Sequence, residues 1–161
     1  MTDAAIRTVA VDRRRLPVDS GVVFVALAGT HRYHEWWPPE WDARALSKHG
    51  GVCGRWAFNG PIGRQVCQII DASPGRFVEF HFHDGPVRGV GRWGLARQGD
   101  QTEVTLAVDL VPVTPVHRFW AQLRDQSQLQ HRVARRLFDC LNERCGGEAR
   151  DRPPQQIPIV V

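Results

Sequence analysis

The chain is 161 residues long and has one lysine, Lys48, one tyrosine, Tyr33, and one methionine. No apolar run approaches the ~20 residues that a membrane-crossing helix requires, so no span is expected. The start, M-T-D-A-A-I-R, has neither the basic end nor the apolar stretch of a secretory signal, which points to the cytoplasm. No C-x-x-C spacing joins Cys53, Cys67, Cys140 and Cys145, and with no paired ligand spacing a zinc site is not expected. Cys53 and Cys67 flank a predicted hairpin and could face each other across it. In a reducing compartment, small buried thiols fit them better than a disulfide. A glycine-rich phosphate loop, a Ser-His-Asp order and a cysteine nucleophile setting are all missing, so no cofactor is expected. There are no internal repeats.

What is present is an ordinary globular composition with a formal charge of +4, carried almost wholly by arginine. Basic balance permits contact with nucleic acid, but the arginines are scattered. The one cluster on a predicted helix, Arg132, Arg135 and Arg136, falls on the face away from the apolar stripe and reads as a solvated back. No nucleic-acid partner is expected.

Ala4 to Val11 reads as a first strand, followed by a charged corner, Asp12 to Arg15. A short helix follows over Asp19 to Ala28, with Asp19 as its cap and Val22, Val23, Phe24 and Leu27 as its apolar side. A second helical turn, Thr30 to Trp36, must stop at Pro38-Pro39. From there the pattern has period two. Trp41 to Ser47, Val52 to Asn59, Arg64 to Asp71, Phe77 to Asp84, Val87 to Arg97 and Thr102 to Val111 read as strands separated by turn clusters. Pro112 and Pro115 end the last strand and start a long helix, Thr114 to Arg144. From Gly146 periodicity is lost and a flexible tail, 146–161, is expected after one domain over 1–145. The fold class is α+β: a seven-stranded antiparallel sheet curled around the C-terminal helix, with two short helices after the first strand.

The long helix carries the most informative pattern. At about 100° per residue, Val116, Phe119, Trp120, Leu123, Ala134, Leu137, Phe138 and Leu141 share one side. Ser127, Gln130 and His131 fall on that side too, halfway along. A helix that only seals a core would not carry three central polar groups there, because each needs a hydrogen-bond partner. A helix whose ends pack while its middle faces a cavity would. Ser127 and Gln130 would then reach ligand oxygens, and His131 would move a proton.

Aromatic walls fit the same cavity. Trp56, Phe58, Phe80, Phe82 and Trp93 lie on strands, Leu106 in the clearest alternation, Trp120 and Leu123 on the helix stripe, and Trp37 at the mouth. Gly89 and Gly91 share a face with Trp93 and Leu95, and as small neighbours would open room beneath the ring. In E-F-H-F-H, Glu79, His81 and His83 point one way and Val78, Phe80 and Phe82 the other. Phenylalanines on the concave side would leave the histidines in water. In the opposite arrangement His81 and Glu79 would form an acid–base pair inside the cavity. His-x-His is also a metal-ligand spacing, but no glutamate follows three or four residues later, and no metal is assigned.

Element order and particular residues together resemble the START / polyketide cyclase (SRPBCC) superfamily and its helix-grip fold. The carriers are P-V-D-S-G-V-V-F-V-A-L-A-G-T-H-R-Y-H-E-W-W-P near the start, G-V-G-R-W-G-L-A-R-Q-G-D-Q-T-E-V-T-L in the last two strands, and H-R-V-A-R-R-L-F-D-C-L in the helix. The resemblance covers roughly residues 4 to 145, and its carriers are fold motifs, with no catalytic signature among them. The resemblance implies an elongated cavity between sheet and helix. It implies a hydrophobic or aromatic small molecule as partner, bound or acted on by cyclase or aromatase chemistry. The alternatives are a carrier or sensor without catalysis and a cochaperone-like interaction domain. A homodimer is the one macromolecular partnership carried forward.

Overall fold

The turn clusters close the strand pairs they flank. In the computed structural model, which describes residues 7–116, 118 and 126–146, the elements run in this order. β1 is Thr8–Leu16 and α1 Ser20–Ala28, followed by 3-10 turns at Thr30–Glu35 and Pro39–Trp41. β2 (Arg44–Ala45), β3 (Arg55–Gly60), β4 (Gly63–Ser73), β5 (Phe77–Asp84), β6 (Val87–Gln98) and β7 (Gln101–Pro112) form a meander. The helix α2 is described over Gln126–Gly146. One antiparallel sheet results, in the order β1-β7-β6-β5-β4-β3-β2, so the segment from β1 to β2 crosses its whole width.

Asp19 caps α1 as its position implies, its carboxylate accepting from the Gly21 N–H at 2.9 Å. Val23 and Leu27 are buried, whereas Val22 is half exposed. The stretch Trp41 to Ser47 holds only the two-residue β2, because Pro39–Trp41 winds into a 3-10 turn and Asp42 is left-handed, with φ 46°. A strand cannot run through that corner. Strand β3 begins at Arg55, three residues later than its sequence pattern, after a left-handed Gly51 and Cys53.

Strand pairing places one row of residues across the inner face: Ile69, Phe80, Gly91, Val108 and Ala10. The next row is Val78, Trp93, Leu106 and Asp12. Period two then puts Arg14 on the inner face as well. The expected charged corner at Asp12 to Arg15 is therefore strand, and its two inner members face α2. Arg14 is buried, ion-pairs with Asp139 and lies over the Phe138 ring, its carbon 5.3 Å from the centroid. These pairs seat the helix on the edge strand; buried charges persist only where such partners exist.

The core lies between the inner face, α1 and the part of α2 from Ala134 onward, where Ala134, Phe138 and Leu141 are buried. Pro115, Val116 and Arg118 are helical as well, and the stretch between them and Gln126, which the expected long helix would cross, lies outside the described residues. Phe119, Trp120, Leu123 and the tail from 147 onward lie outside the described residues. All four cysteines are free. Cys67 and Cys140 are buried and Cys53 is exposed, so the Cys53/Cys67 facing does not form.

Candidate functional site

A cavity opens beside the N-terminal half of the described helix, between Leu129, Gln130, Val133 and Leu137 and the inner face of the sheet. Its empty space, open solvent at the mouth included, amounts to about 710 Å³, and the centre of a water-sized sphere can move through about 60 Å³ of it. The floor comes from Phe80, Phe82, Trp93, Leu106, Val108 and Leu110. Trp37, Trp41, Trp56 and Phe58 build one wall, and the turn Gly60–Gly63 with Gln65 forms the rim beside it.

Each element has a local reason to be there. Trp56 and Phe58 alternate with outward residues along β3, and Phe80 and Phe82 do so along β5. Trp37 and Trp41 are held by the 3-10 turns, whose backbone closes through Trp37 N–H to the Tyr33 carbonyl at 2.8 Å. Tyr33 stacks on Trp37, with centroids 5.0 Å apart and planes 19° apart, and meets the edge of Trp56 at the same distance. Its hydroxyl donates to the Leu27 carbonyl, and burial pushes its pKa far up, so it stays a neutral structural donor. Tyr33 thus locks the aromatic wall to α1.

The described lining carries no charge. No aspartate, glutamate, lysine, arginine or histidine borders the cavity among the described residues. Its polar side chains are the indole N–H groups and two amides. The Gln65 amide is already used. It donates to the carbonyls of Asp84 at 2.6 Å and Val87 at 3.2 Å, and accepts from the Val87 N–H at 3.4 Å. Gln130 brings the second amide from the helix.

Of the residues singled out in the sequence, Trp37, Trp56, Phe58, Phe80, Phe82, Trp93, Leu106 and Gln130 meet at the cavity. Trp120 and Leu123 lie outside the described residues. Ser127 is half-buried and stands outside the lining. His131 turns away from the cavity to the edge strand, its Nδ1 2.8 Å from the Asp12 carboxylate. Asp12 is an acid on the inner face, and desolvation raises its pKa against the opposing pull of the His131 hydrogen bond. Glu79 and His81 project from the other face of β5, opposite Arg92 and Val90, while Phe80 takes the buried side. His81 is exposed, so the acid–base pair does not enter the cavity. Among the described residues no group of three metal-ligating side chains gathers anywhere.

One expected source of space is filled. A Cβ on Gly91 would overlap the Phe80 ring, and one on Gly89 would strike the Asp109 carbonyl. These glycines make room for a neighbouring ring and strand, and the hollow lies further along. Sequence reasoning missed Trp41, Gln65, the Gly60–Gly63 turn, Leu129 and Val133. The helix pair carried a signal: Leu129, Val133 and Leu137 repeat at four-residue spacing beside the stripe that was read.

A second groove lies between α1 and the last turn of α2, lined by Val22, Val25, Trp36, Arg32, Arg144 and Cys145 among others. A water-sized sphere has more room there, about 300 Å³. Its walls are wetter, however: Val25 is two-thirds exposed, and Arg32 and Arg144 converge on Glu35 at its edge. Burial pushes the Cys145 thiol up to about 11, which keeps it protonated and unreactive.

No family model matches the chain, and no curated protein matches it in sequence. Solved structures do match. A START superfamily protein from Mycobacterium smegmatis superposes with a TM-score of 0.68 at 12% identity, covering 86% of this chain and 97% of that one. A truncated norcoclaurine synthase from Thalictrum flavum gives 0.65 at 9% identity, over 89% and 96%. The Mll3558 protein from Rhizobium loti gives 0.65 at 18%, over 88% and 99%. The chain has the helix-grip fold of the START superfamily, as its motifs imply.

Proposed function

We propose that this protein binds a neutral, hydrophobic or aromatic small molecule in the cavity between its sheet and long helix. One observation carries the proposal: the hollow is walled by aromatic and aliphatic side chains and bordered by no charged group among the described residues. Apolar surface released from water there favours uptake by roughly 25 cal/mol per Å². A charged ligand would lose its hydration with no counter-charge to replace it. The aromatic wall favours a flat molecule, whose rings can stack or meet edges. Such a domain, acting in the cytoplasm, is a carrier or sensor.

A second reading adds chemistry: cyclisation of a polyketide-like chain with loss of water. It rests on His131, whose Nδ1 bond to Asp12 fixes the ring and leaves Nε2 for proton transfer. Gln130, its neighbour in the chain, borders the cavity while His131 does not, so binding leads.

Naphthalene, neutral and flat, tests the binding reading. It is expected to raise the melting temperature in a dose-dependent way, by mass action on the folded state. Val108→Phe would fill the floor and abolish that rise, at a cost in stability of roughly 1–3 kcal/mol from overpacking. No rise in the wild type, or an equal rise in the filled variant, refutes the site. Loss of product formation in His131→Ala with binding intact would promote the second reading.

A further inference from the structure

One helix is more apolar than its place in the fold requires. An unbroken apolar run from Val22 to Ala28 leaves α1 without a polar side to give to solvent. A helix of that kind is expected to be covered all round. The rest of the described fold covers only part of it: Val23 and Leu27 are fully buried, whereas Val22 is 50% and Val25 68% exposed. Valine is a poor helix former, so neither position is filled for the sake of the helix itself. Both valines line the groove against the last turn of α2, with Ala26 and Trp36 beside them. The described part of the chain also stops at this groove. Arg144 and Cys145 line it, and a Cβ placed on Gly146 would stand 3.4 Å from the Val18 side chain, on the approach to α1. Fifteen residues follow, 147–161, outside the described residues. The first ten read G-E-A-R-D-R-P-P-Q-Q and the last five I-P-I-V-V.

We infer that the segment Ile157 to Val161 folds back within its own chain and covers the groove between α1 and the last turn of α2. Reach is sufficient. Ten extended residues span up to about 33 Å, and α1, nine residues long, measures about 13 Å. The two surfaces also match in chemistry. I-P-I-V-V has no charged or polar side chain, so the valine floor takes it without burying an uncompensated charge. Pro158 has no N–H, which leaves one donor fewer to satisfy in an apolar groove. Pro153, Pro154 and Pro158 restrict the undocked chain and so lower the entropy lost on docking. A tether of ten residues gives the segment an effective concentration in the millimolar range, which favours it over a second copy or a separate partner. This surface is apart from the cavity under the sheet, so the inference stands or falls independently of ligand binding there.

Methyl NOEs in the 161-residue chain, labelled at isoleucine and valine, test the docking. Contacts from Ile157 and Ile159 to the methyls of Val22 and Val25 are the expected result, and their absence overturns the inference. A second sample mixes protein labelled only at isoleucine with protein labelled only at valine. Docking within one chain gives no isoleucine–valine contact there. Contacts that survive the mixing put a second copy in the groove and overturn the inference too. Ile159→Asp adds a readout in solution, and as a change outside the described core it leaves the fold intact. It should abolish the Ile157 contacts, shift the Val22 and Val25 methyl resonances and lower the melting temperature by about 3 °C. Val22 and Val25 resonances that stay unmoved in that variant would overturn the inference.

Discussion

The two halves of the described helix lie over the same sheet but meet it differently. The C-terminal half carries the packing: Phe138 and Leu141 are buried, and Phe138 sets its ring edge against Trp93 with centroids 5.8 Å apart. The N-terminal half, with Leu129, Gln130 and Val133, faces open space. One half holds the fold and the other leaves room for a guest. The difference lies in the strands beneath. Near β1, Asp12 and Arg14 pull the helix down through His131 and Asp139. At the β3–β4 end the lining is the aromatic wall of Trp37, Trp41, Trp56 and Phe58.

Substitution separates the halves most sharply. Phe138→Ala should cost about 3–5 kcal/mol, since it opens a cavity in close-packed surroundings. Leu129→Ala, truncating a side chain that already borders space, should cost less than about 1 kcal/mol while weakening naphthalene binding. Urea unfolding and a binding titration on each variant check both. Similar stability losses at the two positions would erase the contrast.

The seating of the helix on β1 gives a smaller effect that depends on pH. Because desolvation raises the Asp12 pKa in the folded chain, the folded state holds that proton more tightly than the unfolded state. Its contribution to stability is present below the ordinary carboxylate range and is lost as pH rises through the raised value. Asp12→Asn keeps the shape without the titration. Relative to that variant, the wild type should lose unfolding free energy as pH rises from below the ordinary carboxylate range through the raised value. A difference that stays flat across this window would show that Asp12 is not desolvated by the helix.

The smallest expected effect is at His81. With its side chain on the outer face of β5, His81→Ala should change stability by no more than about 0.5 kcal/mol and leave ligand binding unchanged. A marked loss of binding would place that face inside the site after all.

Much of the fold was legible because its signals are local. Turn clusters, period-two alternation and the Asp19 cap each act within a few residues. The aromatic wall was legible for the same reason, since Trp56, Phe58, Phe80 and Phe82 alternate inward on their strands. What failed was rotation about the helix axis. At about 100° per residue, Ala134, Phe138 and Leu141 form one stripe, and Leu129, Val133 and Leu137 form a second beside it. The sequence shows a single broad apolar face and cannot divide it, because the division is made by the sheet below. His131 sits on the far side of the packed stripe, so it reaches Asp12 on β1. That partner is 119 residues away, and Asp12 looked like part of a surface corner. The Gly91 gap misled in a similar way, because only the strand register puts Phe80 over it.

The central claim is that a neutral flat molecule lodges under the N-terminal half of the helix and nowhere else. Intermolecular NOEs from naphthalene to methyl-labelled protein test it directly. Contacts to the methyls of Leu106, Val108, Leu129 and Val133, with none to Leu141 or Val25, are the expected result. Contacts to Val22 and Val25 in the groove beside α1, or to no methyl at all, would contradict it.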